Sequence, residues 1–555
     1  MTRAAPPAGP FVSQEPSGQE PSSPSGPSGQ GPSGQGPSGQ ESPGQSPAGS
    51  PREQPGKGPA GAPVAGRPDR DAVQRIILGI MLAMFLSALE QTIVAPALPT
   101  IGGSLGDAAD LPWVAGAYLL GATTATPLFG KLSDIYGRRA ILLTGVSVFI
   151  AGSLACALAP TMTALVVSRA VQGIGGGSIL PISQAIIADL VTPRERARYQ
   201  AQLSVIFMTS SVAGPLLGGV LTDHLHWSLI FWINLPLGAL ALVMSDRALR
   251  RLPRSDRPHA LDWPGAALMV AAALALMLAM TWGGVRYPWG SPPIAALLAS
   301  SAVLWGLFAW RITAAAEPFV PVLVLRDPTA AGTVIAGFFA IGTITGLAFF
   351  MPLYLELSLR TTAITSGIAL IAFMTGITIG SLTAGQALAR YRRYKRVPVV
   401  GLVIAIAALA VPALDLHPSF ATVAVLLMLA GAGIGPMYPV TTVLIQNAVQ
   451  RHQIGVATGT LNFFRLLGGA IVVAGFGALV LGSAGVGGGS ASRTLGHVLS
   501  SGLPAPGTPA PDFSAVFSPM FAAACGCLAV ALLALLAVEE RPLRGPDSGA
   551  GKPRE

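Results

Sequence analysis

The stretch Gly130-Lys131-Leu132-Ser133-Asp134-Ile135-Tyr136-Gly137-Arg138-Arg139 is a short polar island between two long apolar runs, 112–130 and 140–159. Each run has about the 20 residues that a helix needs to cross the hydrocarbon core of a bilayer. The island therefore reads as a tight turn between two membrane helices, which its glycines permit. Asp134 sits near the start of the second helix, close to Lys131, Arg138 and Arg139. A carboxylate so placed gains from the helix dipole and from arginine partners. Such a cluster can latch one group of helices to another in one conformation and release it in the next. A simple basic turn that orients the chain would have the same composition.

Working outward from the island, the pattern repeats. Fourteen apolar runs follow one another between residues 76–98, the first, and 515–538, the last. Of the 555 residues, 51% are hydrophobic and only 11% charged, against about 25% charged in soluble proteins. So few charges cannot cover a water-facing surface of this size. Basic residues collect on one side of the alternating runs. With the N-terminus inside, the inner loops hold nineteen Lys and Arg, and the outer loops only Arg286, Arg360 and Arg493. This asymmetry predicts a multi-pass protein of the cell membrane with both termini in the cytoplasm. A net charge of +9 would suggest nucleic acid in a soluble domain. Here it reads as orientation, with membrane lipids as partners and no nucleic acid. Residues 1–72, rich in Pro, Ser, Gly and Gln, lack the apolar surface needed to fold and are expected to be disordered.

Three charges remain inside the runs: Glu90, Arg169 and Arg465. Asp189, Asp223, Glu356 and Asp415 lie near run ends. A charge at mid-bilayer costs at least about 2.5–3.5 kcal/mol, so such groups usually face a protein-lined cavity and serve function. An ion pair that merely holds helices together is the alternative. Glu90 lies about fourteen residues into its run, roughly 21 Å along a helix. Burial disfavours a bare carboxylate and a nearby cation favours it. An acid poised between the two can hold a proton in one state and lose it when a cation binds. Arg169 is permanently charged, so its role would be to tune an acid or to couple it to helix movement through neighbours such as Gln172.

The island resembles the signature loop of the major facilitator superfamily, Gly-x-Leu-x-Asp-x-x-Gly-Arg-Arg/Lys. Three further segments are similar to the superfamily's fourteen-helix drug:proton antiporters, of the quinolone and quaternary-ammonium efflux type. Leu89-Glu90-Gln91-Thr92-Ile93-Val94-Ala95-Pro96 resembles their LDxTIVNV motif, with Glu90 where Asp is usual. Arg169-Ala170-Val171-Gln172-Gly173 resembles the intramembrane arginine motif. Ala213-Gly214-Pro215-Leu216-Leu217-Gly218-Gly219 resembles the helix motif associated with antiporters, with Ser210 at a position the family fills with Gly. His226-Trp227-Ser228-Leu229-Ile230-Phe231-Trp232-Ile233-Asn234-Leu235-Pro236 and Gly459 to Gly469 also match that branch. The resemblance covers roughly residues 76–545.

It implies an all-α integral membrane fold of two six-helix bundles with two inserted helices. The expected parts are a tail at 1–72, a bundle at 73–250, an insertion at 251–328, a bundle at 329–540 and a tail at 541–555. It implies export of hydrophobic or cationic small molecules, driven by protons and without a cofactor. Glu90, Arg169, Gln172 and Arg465 are the expected proton and substrate residues. Gly130, Asp134, Gly137, Arg138 and Arg139 would form the conformational switch, and Gly214, Pro215, Gly218 and Gly219 the antiporter helix. Phe349, Phe350, Met351, Tyr354, Phe373 and Met374 would suit an adaptable apolar pocket.

Other functions lack their residues. There is no Walker motif, HExxH, zinc-ligand cluster or nucleophile elbow in the sequence, so neither an enzyme nor a metal site is expected. Export of an endogenous product such as an antibiotic, lipid or siderophore remains a rival. Nutrient uptake and a membrane-embedded receptor or enzyme are weaker ones. The usage of Gly, Ala, Pro and Arg points to a bacterial cytoplasmic membrane.

Overall fold

The computed structural model describes residues 70–105, 111–250, 262–284, 286–315, 327–361, 363–390, 394–414, 419–486 and 514–540. Residues 1–69 and 541–555 of the expected tails, the outer loop beyond residue 486, Arg493 and Asp415 lie outside them, while residues 70–72 of the expected tail belong to the first helix.

The N-terminal part runs α1 (Arg70–Ile93), α2 (Leu98–Leu105), α3 (Leu111–Tyr136), α4 (Arg138–Ala157), α5 (Met162–Leu190), α6 (Pro193–His224), α7 (Leu229–Trp232) and α8 (Asn234–Leu249). Next come α9 (Trp263–Trp282) and α10 (Pro292–Ala314). The C-terminal part holds α11 (Pro328–Ser358), α12 (Ala363–Arg390), α13 (Arg396–Ala413), α14 (Phe420–Ile434), α15 (Met437–Ala448), α16 (Ile454–Val486) and α17 (Ser514–Ala537).

Thirteen of the described segments are long and apolar enough to cross a membrane. The remaining long helix, α3, coincides with the expected second span. Its 26 residues reach about 39 Å, more than a hydrocarbon core. Its polar residues are accommodated locally: Thr124 and Thr126 donate their hydroxyls to the carbonyls of Leu120 and Ala122, 2.8 and 2.7 Å away.

Two expected spans are broken. Residues 229–245 divide at Ile233, because Pro236 has no N–H for the carbonyl of Trp232. Residues 421–447 divide at Gly435 and Pro436, where Pro436 likewise has no N–H for the carbonyl of Ala432.

In the first half α5 packs on α3 and α4, while α1 packs on α6 and α8. In the second, α11 packs on α16 and α17, α12 on α14, and α13 on α14 and α17. The halves meet along two seams, α3 against α16 and α6 against α12. The α9–α10 pair lies over the first seam, since α9 touches both α3 and α16. Trp282 of α9 meets Trp113 of α3 edge-on at 5.9 Å, and Trp305 of α10 stacks on Phe464 of α16 at 6.4 Å. Asp262 caps α9 through Gly265 N–H and pairs with Arg311 at the end of α10, 3.0 Å away.

Candidate functional site

Glu90 lies in the last turn of α1 and is fully buried. Both of its oxygens are engaged. Arg169 Nη1, from α5, donates to Oε1, and Asn234 Nδ2, at the start of α8, donates to Oε2. Arg169 is fixed in turn: Nη1 also donates to Gln172 Oε1 at 2.6 Å and Nε to the Val114 carbonyl of α3 at 2.8 Å. Its guanidinium lies 4.6 Å from the centre of the Tyr118 ring. Gln172 Nε2 donates to Ser153 Oγ of α4 at 2.7 Å. Five helices thus converge on one buried ion pair, as they must where an isolated charge would be prohibitively desolvated. Every named partner of Glu90 comes from the first half.

The structure brings Glu90, Arg169 and Gln172 together but leaves Arg465 elsewhere. Arg465 sits in α16 among neutral acceptors: Asn462 Oδ1 (2.9 Å), the Tyr438 carbonyl (2.9 Å), Thr441 Oγ1 (2.6 Å) and Thr442 Oγ1 (3.0 Å). The Tyr438 ring covers it at 4.4 Å. Among the described residues no carboxylate pairs with it. Asn462 extends the cluster across the seam, donating to Gln184 Oε1 of α5 at 2.7 Å.

The signature loop turns at Gly137, whose φ of 89° favours glycine. Asp134 falls in the last turn of α3 rather than at the start of α4, because α3 continues to Tyr136. It caps a different helix, accepting from the Gly455 and Val456 N–H groups at 3.0 and 2.7 Å, in the first turn of α16. Arg138 pairs with Asp134 at 2.5 Å and with Asp189 at 2.9 Å. Arg139 pairs with Asp246 of α8. A Cβ on Gly130 would come within 2.7 Å of the Gly455 carbonyl, so this glycine allows the halves to touch.

The α6 motif divides in two. A Cβ at Gly214 would strike Thr92 Oγ1, and one at Gly218 the Ile93 carbonyl, so both glycines seat α6 on the end of α1 just past Glu90. Gly219 meets nothing within 4 Å and Pro215 is exposed. Ser210 joins the same contact: its carbonyl accepts from Thr92 Oγ1 at 2.9 Å. The residues expected to suit an apolar pocket divide. Phe349 is 66% exposed, whereas Phe350, Met351, Tyr354 and Phe373 are buried in the core of the second half.

Sequence reasoning passed over Asn234, Ser153, Tyr118 and Gln184. Asn234 and Gln184 had a signal, an amide inside an apolar run. Tyr118 and the Val114 carbonyl had none.

A sequence profile described as Major Facilitator Superfamily matches residues 80–473 and again 333–554. The chain is 37% identical over 451 residues to an uncharacterized MFS-type transporter of Mycobacterium tuberculosis (strain ATCC 25618 / H37Rv), covering 80% of this chain and 64% of that protein's length. It is 33% identical over 407 residues to the multidrug transporter protein MdtP of Bacillus subtilis, covering 73% of this chain and 75% of the relative. It is 34% identical over 406 residues to multidrug resistance protein 3 of the same organism, covering 72% and 78%. A bacterial homologue of the iron transporter ferroportin, solved in an outward-facing state, superposes with a TM-score of 0.57 at 14% identity, covering 85% of this chain and 100% of that one. The proton:xylose symporter XylE gives 0.53 at 14%, covering 82% and 94%. At such identities the likeness is one of fold. From the profile and the curated relatives, the chain belongs to the Major Facilitator Superfamily.

Proposed function

We propose that this protein exports hydrophobic or cationic small molecules from a bacterial cell in exchange for protons. The observation that carries this reading is Glu90: a buried acid bonded through both oxygens to Arg169 and Asn234. Two relatives named for multidrug transport or resistance support the substrate class. Both termini lie in the cytoplasm, so the seam closed by Asp134 and Gly455 is the cytoplasmic one. The proton gradient is the energy source and no cofactor takes part.

The step is a proton moving onto a Glu90 oxygen. The neutral acid no longer attracts Arg169 as its carboxylate does, so the five-helix junction must rearrange. Asn234 suits both forms, because its amide N–H serves a carboxylate and its Oδ1, without a partner here, can accept from a carboxylic acid. The end of α1 is seated on α6 through Gly214 and Gly218. Movement of the Glu90 turn therefore reaches α6, which forms a seam with α12. Proton loading at one end of α1 is thereby tied to opening of the other end of the molecule.

The test is transport of ethidium by purified protein in sealed vesicles with and without an imposed pH difference. Dye movement should follow the gradient and release protons, and Glu90→Gln should abolish both. Gradient-independent movement, or full activity in the variant, rules the reading out.

A further inference from the structure

A cavity of about 410 Å³ opens between α6 and α12 at the end of the molecule that carries the signature loop. It is lined by Arg198, Ala201 and Gln202 from α6 and by Leu382, Gly385, Gln386 and Arg390 from α12. Each half of the protein thus supplies one arginine and one glutamine. Among the described residues no acid lines the cavity. Both arginines are exposed, and among the described residues neither makes a hydrogen bond or an ion pair. Arg138, Arg139, Arg169, Arg250 and Arg311 all have carboxylate partners. Two unpaired guanidiniums with two amides beside them form a donor-rich site, suited to the bidentate binding of a phosphate oxygen pair.

We propose that this cleft binds the phosphate headgroup of an anionic phospholipid. Apolar stripes distinguish a lipid from a free anion. Val205 and Val212 repeat Arg198 at seven-residue intervals, on the same face of α6, and are 40% and 44% exposed. On α12, Ile379 lies on the face of Gln386 and Ile371 on that of Leu382, 47% and 46% exposed. An acyl chain has a track leading from the headgroup site along either helix. A headgroup held by Arg198 and Arg390 bridges the two halves and stabilises the closed seam. The inference rests on the proposed function only for its statement that this is the cytoplasmic leaflet.

The experiment compares retention of phosphatidylglycerol and phosphatidylcholine by the purified full chain, measured by native mass spectrometry. A basic residue near an anionic surface contributes about fivefold in affinity, so Arg198→Gln with Arg390→Gln should weaken phosphatidylglycerol about 30-fold. Phosphatidylcholine carries the same phosphate beside a balancing choline cation, so its retention should fall much less than that of phosphatidylglycerol, and Lys at both positions should restore most of the preference. If the double variant is not monodisperse, Gln386→Glu puts an acid into the cavity wall and should weaken phosphatidylglycerol selectively. Unchanged retention of phosphatidylglycerol overturns the proposal. So does inorganic phosphate raising the thermal transition of lipid-depleted protein as much as phosphatidylglycerol does, which would make this a free-anion site. Ethidium transport measured on the same preparations separates the two readings, since a chain can bind lipid selectively without exchanging protons, or the reverse.

Discussion

Arg169 and Arg465 are both permanently charged, both buried and both within apolar helices, yet they are solvated in opposite ways. Arg169 faces a carboxylate, so its junction can change charge by one proton. Arg465 is held by an amide, a carbonyl, two hydroxyls and the Tyr438 ring, all neutral. Its charge is fixed whatever the protonation of its neighbours. On the proposed function the two halves divide the labour: the exchanged proton belongs to the first, and a constant positive charge beside the seam to the second.

The sharpest way to break this contrast is Glu90→Gln, which keeps the shape and strands a buried guanidinium. Losing one partner of a buried pair costs roughly 3–5 kcal/mol, measured as a lowered thermal transition. The double change Glu90→Gln with Arg169→Met should recover much of that stability while proton release stays absent. Equal stability of the single variant and the parent would mean that Arg169 does not depend on Glu90. Next in size is Gly214→Ala, whose methyl must displace Thr92 beside the junction. Overpacking of this kind costs about 1–3 kcal/mol, while Gly219→Ala, with open space around it, should be close to neutral. Similar losses at both positions would refute the seating of α1 on α6. Arg465→Met leaves only neutral groups without their donor, so about 1–2 kcal/mol is expected. Its stability curve should keep the parent's pH dependence, whereas Glu90→Gln should change it. A larger loss at Arg465 than at Glu90 would reverse the comparison.

The spans were legible because hydrocarbon imposes a length and excludes charge, and both constraints are written directly into local composition. The chain breaks at Ile233 and Gly435 were harder to place, since prolines bend many membrane helices without dividing them. Glu90 and Arg169 stood out as costly residues, but their pairing did not, because residues 79 apart give no local signal of contact. The same holds for Asp134. Its cluster was visible, but the helix it caps begins at Ile454, on the far side of the chain. The glycines of α6 differ in a way their repetition does not show: helical geometry turns Gly214 and Gly218 toward α1 and leaves Gly219 with open space.

That long-range cap supplies the smallest and most diagnostic effect. In Asp134→Asn the single amide oxygen still accepts from one of the Gly455 and Val456 N–H groups, which bond different oxygens of the carboxylate, so α16 keeps part of its cap. What disappears is one of the two cap hydrogen bonds, the negative charge at a helix N-terminus and the ion pair with Arg138, of which the charge at the helix end alone contributes about 1 kcal/mol. If the cluster latches the seam, that loss appears as a shift toward the open conformation rather than as unfolding. Ala201, buried at the α6–α12 seam, reports it as a cysteine in a background without Cys156, Cys525 and Cys527. Labelling of Ala201→Cys by a membrane-impermeant maleimide should quicken about fivefold when Asp134→Asn is added, with the thermal transition almost unmoved. An unchanged labelling rate would reduce Asp134 to a helix cap and leave closure of this end to the packing of Gly130 on Gly455.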